Sequence, residues 1–359
     1  MVRGRRGGKQ SRRGSLVLLC LVLAWQLLGC ARGERHAPSR AFYYWRTTFE
    51  LSPSERRALG ELHVDKLYLR AFDVAPGSAN TPTFVGVVQK APEQALPPGV
   101  VLVPVVFFKN QVFASGRLGS ERALAERVWK EVTTVGKALG ATSLNELQVD
   151  CDWTDSTRAR FFEFVRALRQ VSGPGTRLSA TIRLHQVKYR ERTGVPPVDS
   201  GMLMFYNMGR FSSDPLERSI FDAEAAERYL DRLDDYPLPL DAALPIWSWT
   251  LQLREQEVVG LLQSTDPAEL PALDFVKEEP PLGFEVTRTT FLHGSLLRQG
   301  DVLKGETLTA SDLQKATDLL ARNLAPASER RTVALFDLSE RNLGRHGLRT
   351  LEQALQVVR

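Results

Sequence analysis

Residues 146–155 read Glu-Leu-Gln-Val-Asp-Cys-Asp-Trp-Thr-Asp. In an extended chain Leu147, Val149 and Cys151 share one face, and Gln148, Asp150 and Asp152 share the other. A helical pattern follows at once, from Arg158 to Gln170, with Phe161, Phe164, Val165 and Leu168 at helical spacing. A strand, carboxylates at its C-terminal end and then a helix is the arrangement in which a β/α barrel presents a site.

Upstream, Val100 to Phe108 is a continuous apolar run, as expected of a parallel strand buried on both faces. The segment 121–139 carries Leu124, Val128, Val132, Val135 and Leu139 on one helical stripe, with Gly140 just past its end. Further back, Ala41 to Thr48 reads as the first strand and Lys66 to Asp73 as the second. Between them Ser52-Pro53-Ser54-Glu55 spells a capping box, with Ser52 as N-cap and Glu55 three residues on. Downstream, strands are expected at Leu178–His185, Met202–Asn207, Ala243–Thr250 and Thr332–Leu338, the third running on into a hairpin through Glu257–Leu262. Helices are expected at Asp222–Leu233, from Thr309 to Asn323 and over 346–358. Residues 263–308 are weakly patterned and rich in proline. Eight strands, mostly alternating with helices, predict an α/β fold: a single (β/α)8 TIM-type barrel with an insertion between strands 7 and 8. An open doubly wound sheet is the alternative, weakened by the lack of a Gly-rich loop after the first strand.

The barrel is assigned to residues 41–359, preceded by a tether over 30–40 and a lipoprotein signal peptide over 1–29. Arg3, Arg5, Arg6, Lys9, Arg12 and Arg13 form the basic start of that leader. An apolar run follows from Ser15 to Leu28, too short to cross a bilayer comfortably. Leu27-Leu28-Gly29-Cys30 resembles a bacterial lipobox, which makes Cys30 the lipidated N-terminus and the membrane a partner through its lipid. Ala31 in the next position resembles lipoproteins sorted to the outer membrane, where the barrel would face the periplasm. Losing the six basic residues of the leader, which has no acid, takes the formal charge from +5 to −1. The high pI therefore belongs to the leader, and no nucleic-acid partner is inferred. Without Cys20 and with Cys30 lipidated, Cys151 stands alone, so no internal disulfide is expected. The five histidines are scattered without ligand-like spacing, and neither a metal nor a cofactor is expected.

A barrel site lies at the C-terminal strand ends. Those ends supply Trp45, Arg46, Arg70, Asp73, Asp150, Asp152, Trp153, Arg183, His185, Tyr206, Asn207, Trp247, Trp249 and Asp337. Aromatic faces with carboxylates suit a sugar: the ring's CH face stacks on tryptophan while acids bond hydroxyls or handle protons. Packing is the simpler role for any one tryptophan, and Asp155 reads as a helix N-cap. Asp150 and Asp152 are either the catalytic pair or a buried ion network with Arg183 or Arg70.

Leu147-Gln-Val-Asp150-Cys-Asp152-Trp153-Thr154 resembles the fourth-strand motif of the chitinase-like glycoside hydrolases of family 18, Asp-Gly-x-Asp-x-Asp-x-Glu. Met204-Phe-Tyr206-Asn207 resembles that family's Met-x-Tyr-Asp. The resemblance implies a glycosidase barrel in which the acid matching Asp152 assists a nucleophile carried by the substrate. The chain departs at the general acid, replaced by Thr154, and at the closing Asp, replaced by Asn207. Phe42-Tyr-Tyr-Trp-Arg46, Leu67 to Asp73, Val149 to Thr154 and Trp247-Ser-Trp249 more closely resemble blocks of a bacterial lipoprotein family of uncharacterised activity with a glycosidase-like barrel. Three readings follow: a glycoside hydrolase or related lyase using Asp150 and Asp152, with Asp73 or Asp337 as second carboxylate; a non-catalytic glycan-binding barrel; or a structural lipoprotein that binds another protein. A carboxylate pair across an open cleft favours the first, an open aromatic cleft without it the second, and a plugged mouth the third.

Overall fold

The computed structural model describes residues 37–356 except 115, 208 and 326–328, together with residues 1, 2 and 4. Cys30 and nearly all of the expected signal peptide lie outside the described residues.

Eight parallel strands close on themselves: β1 (Ser39–Tyr44), β2 (Lys66–Ala75), β3 (Val101–Phe108), β4 (Glu146–Cys151), β5 (Arg177–Arg183), β6 (Ser200–Met204), β7 (Leu240–Pro245) and β8 (Thr332–Phe336). Closure is made by β1, which pairs with β2 on one side and β8 on the other. The expected barrel is therefore present, starting at Ser39, two residues earlier than read from sequence. The helices are α1 (Pro53–Glu61), α2 (Glu121–Ala138), α3 (Asp155–Ser172), the short α4 (Leu184–Lys188) and α5 (Arg190–Thr193), then α6 (Ala223–Leu230), α7 (Ala310–Asn323) and α8 (Glu340–Gln356). Among the described residues no helix joins β2 to β3; a proline-bearing loop does, with Thr83–Val85 folded back antiparallel on β2. Helix α8 starts six residues before its expected position and is broken at Gly347, whose φ of +71° suits glycine.

The capping box of α1 forms as spelled. Ser52 Oγ accepts from the Glu55 amide at 3.2 Å, and Glu55 Oε2 accepts from the Ser52 amide at 3.0 Å. The last part of the expected first strand is a correction: the chain leaves the barrel after Tyr44, and Thr48–Phe49 pairs instead with Gln89–Lys90.

The two-residue period sorts side chains into two cores. Leu147, Val149 and Cys151 join Phe161, Phe164 and Leu168 in the large core between strands and helices. Tyr43, Tyr68, Val103, Val105, Met202, Met204 and Ala243 fill the lumen. The lumen also holds polar groups, each partnered. Glu146 accepts from Lys66 Nζ at 2.8 Å, Ser179 Oγ at 2.8 Å and Tyr68 Oη at 3.1 Å. Gln148 accepts from Tyr43 Oη at 2.6 Å.

Between β7 and β8 lies the insertion. The expected strand Ala243–Thr250 is two strands: β7 ends at Pro245, and Ser248–Arg254 belongs to a five-stranded antiparallel sheet. The hairpin with Glu257–Leu262 forms, and Val276–Glu279, Gly283–Val286 and Val302–Thr307 complete the sheet. Its own core includes Leu262, Leu270, Phe275, Val286, Leu297 and Leu303. The weakly patterned stretch thus holds five short strands, of three to six residues each, which leave too little alternation to read.

Near the other end of the lumen, burial pushes the Asp241 carboxyl up to about 6, partly offset by the hydrogen bond from the Thr332 amide. Between about pH 4 and pH 6 the folded state therefore holds a proton that the unfolded state has released, and stability falls as pH rises through that window. The step should be on the order of 3 kcal/mol and should vanish in Asp241→Asn, read from urea midpoints at each pH. An equal decline in the variant would contradict this assignment.

Candidate functional site

The strand ends surround an open cavity of about 460 Å³. Asp150, Arg183, Met204 and Phe107 line it, with Trp45, Tyr206, Trp247, Trp249 and Phe336 as aromatic walls and Asp337 at the rim of β8. Arg183, Tyr206 and Asn207 also line a second cavity of about 410 Å³, with Asp152, His185 and Tyr229. The mouth is therefore two hollows sharing one ridge.

The β4 carboxylates divide between them. Asp150 is almost wholly buried against the first cavity, whereas the Asp152 side chain is 56% exposed beside the second. Arg183 stands between, with Nε 2.5 Å from Asp152 Oδ1 and a terminal nitrogen 3.5 Å from Asp150 Oδ1. Thr181 Oγ1 donates to Asp150 at 2.6 Å. Of the two partners considered for these acids, Arg183 serves and Arg70 does not.

Burial works against the charge on Arg183, but Asp150 and Asp152 outweigh it and raise its pKa. Burial raises the Asp150 carboxyl, opposed by Arg183 and reinforced by Asp152. It also raises the Tyr206 phenol and lowers the His185 imidazole, which sits at the start of α4. The Asp337 carboxyl is raised by burial too, and accepts from Asn342 Nδ2 at 2.8 Å. In the closed ring β4 and β8 are opposite, so Asp150 and Asp337 face one cavity from opposed walls.

Asp73 and Arg70 form a pair of their own, with Nε to Oδ1 at 2.7 Å. Three positions apart, they would alternate to opposite faces of a regular strand; a register shift between Arg70 and Phe72 brings them together. The Arg70 guanidinium lies 5.6 Å from the Trp45 ring centre and props that wall.

Three expectations are corrected. Trp153 borders the second cavity but is almost wholly buried, stacked on Phe161 with Nε1 donating to Thr193 O at 2.8 Å, so it offers a ligand almost no surface and serves packing. Arg46 turns away from the cleft onto Glu55 at 2.8 Å and over the Tyr44 ring at 4.3 Å. Alternation itself puts it there: Tyr43 and Trp45 face the lumen, so Arg46 falls on the outer face with Phe42 and Tyr44. Asp155 is not the N-cap of α3; Thr154 is, its amide donating to Thr157 Oγ1 at 2.9 Å. Thr154 is thus engaged as a helix cap.

Sequence reasoning missed Phe107, Phe336, Ser248 and Gln263 on the cavity wall. Phe107 and Phe336 were findable, since each continues the inward alternation of its strand. Ser248 and Gln263 depend on how the insertion folds back, which no local pattern reports.

No family profile matches the chain, and no curated protein does. Among solved structures it resembles the Bacillus cereus spore cortex-lytic enzyme SleL, with a TM-score of 0.50 and 12% identity over 89% of this chain and 74% of that one. It equally resembles the Ostrinia furnacalis Group IV chitinase, with a TM-score of 0.50 and 11% identity over 89% of this chain and 99% of that one. At such identity the likeness carries the fold alone, a (β/α)8 barrel.

The ridge makes a titration prediction. Asp150 should titrate above an ordinary aspartate in a carboxyl-carbon NMR experiment, and Arg183→Gln should move it higher still, because the lowering cation is gone. Titration at the ordinary value in both proteins would contradict the geometry.

Proposed function

We propose that this chain is a lipid-anchored protein of the bacterial cell envelope whose barrel cleft binds a carbohydrate. The observation that carries the reading is the open cavity walled by Trp45, Trp247, Trp249 and Phe336 and floored by Asp150 and Arg183. Flat aromatic faces accept the CH-rich faces of sugar rings, and a few convergent polar groups orient the hydroxyls. A plugged mouth, which would have favoured a purely structural role, is not what surrounds Asp150. Envelope anchoring rests on the leader, with Cys30 as the lipidated residue, membership in the lipoprotein family resembled above, and the outer membrane as address. A polysaccharide or a peptidoglycan fragment is the ligand class this address supplies. A chitinase and a cortex-lytic enzyme among the fold's neighbours make the same class the first to test.

Hydrolysis is the second reading, favoured by one observation: Asp150 and Asp337 face one cavity and both carboxyls are raised by burial. A raised carboxyl can stay protonated where an ordinary one has ionised, and so can donate to a leaving glycosidic oxygen. The opposite carboxylate would then activate water or attack the sugar carbon, according to its distance. The chitinase arrangement is not available, because Thr154 stands at the acid position.

Calorimetry with chitin, peptidoglycan and exopolysaccharide fragments, paired with a reducing-end assay, tests both. The wild type should bind, and Trp247→Ala should weaken binding about 10-fold, equivalent to about 1.4 kcal/mol. Release of reducing ends, lost in Asp337→Asn while binding stays within a few-fold, would establish turnover. Absence of binding to all three classes would reject the carbohydrate reading.

A further inference from the structure

The aromatic wall does not end at the cavity. From Trp247 it continues to Trp249, ring centres 5.9 Å apart, and from Trp249 to Phe211 at 5.4 Å. Phe211 is half exposed, and it comes from the loop after β6 rather than from the insertion that carries Trp249.

Two buried charges hold that loop. Lys304 is 5% exposed and Glu306 6%, on the insertion strand paired with the Trp249 strand. The Lys304 ammonium donates to three loop carbonyls, Ser212 at 3.0 Å, Asp214 at 2.6 Å and Glu217 at 2.8 Å. Its three donors are thus all engaged. Glu306 Oε2 accepts from the Ser219 amide at 2.9 Å, from Ser219 Oγ at 2.6 Å and from Trp249 Nε1 at 3.2 Å. Lys304 Nζ lies 3.5 Å from Glu306 Oε1, which has no hydrogen-bond partner. An ammonium and a carboxylate are costly to bury without partners. The insertion strand and the loop therefore stabilise each other through these contacts. The base of the loop is closed independently: the Asn207 amide donates to Ile220 O at 2.8 Å, and a Cβ on Gly209 would collide with the Arg218 carbonyl.

We infer that Phe211 is an outer ligand contact of the cleft and that Lys304 and Glu306 are its positioning residues, so that the insertion sets how long a glycan the cleft holds. This rests on the carbohydrate reading and adds to it a contact, a length preference and the residues that enforce both. Glu306 orients Trp249 through the indole N–H and the loop through Ser219. Lys304 fixes the loop segment that follows Phe211.

The test measures affinity of the full-length chain, in detergent, for N-acetylglucosamine oligomers and reduced peptidoglycan glycan strands, each from disaccharide to hexasaccharide. Phe211→Ala should lose about 10-fold on the hexasaccharide and nothing on the disaccharide, and Phe211→Trp should restore the wild-type value. The double variant Lys304→Met with Glu306→Gln removes both charges together, and should reproduce the length-selective loss. A purely structural role would lower stability without making the loss depend on oligomer length. Binding by Phe211→Ala equal to wild type at every length, or reduced alike at every length, overturns the inference while leaving the carbohydrate reading in place. No binding by the wild type at any length overturns both.

Discussion

A closed ring of strands decides where β4 can put its polar residues. Because side chains alternate and the ring has no open edge, Glu146, Gln148 and Asp150 must point into the lumen, where water is scarce. A buried carboxylate there costs several kcal/mol unless donors surround it. Lys66, Ser179 and Tyr68 do so for Glu146, Tyr43 for Gln148, and Thr181 with Arg183 for Asp150. The donors come from β1, β2 and β5, so the charges on one strand specify which strands stand beside and across from it.

The same constraint produces the site. At the top of the lumen Arg183 cannot satisfy Asp150 and Asp152 without standing between them, and that places a ridge across the mouth. Asp150 is left facing an aromatic hollow and Asp152 a more polar one. The insertion then extends the aromatic wall outward, held by the buried Lys304–Glu306 pair rather than by the barrel itself.

Much of this was legible in the sequence where local physics dominates. Period-two alternation in 146–152 gave the correct face for every residue of β4, and the apolar run ending at Phe108 gave a strand buried on both sides. The capping box at Ser52 formed as spelled. Trp153 and Arg46 were legible too, because each continues the outward alternation of its strand, after Cys151 and Tyr44: one packs onto Phe161 and the other pairs with Glu55. What was not legible depends on where an element stops and on contacts distant in sequence. Asp155 was one residue late as a cap because Thr154 has its own partner in Thr157. The Arg70–Asp73 pair needed a strand irregularity, and Ser248, Gln263 and Phe211 needed the fold of the insertion. Long-range contacts of that kind leave no periodic signal.

The most direct measurement is a crystal structure of the chain bound to a glycan hexasaccharide. A sugar ring is expected against Trp247 in the cavity at the strand ends, with a ring hydroxyl or glycosidic oxygen within hydrogen-bond reach of Asp150. A sugar bound elsewhere on the surface, with the aromatic cavity holding only water, would contradict this.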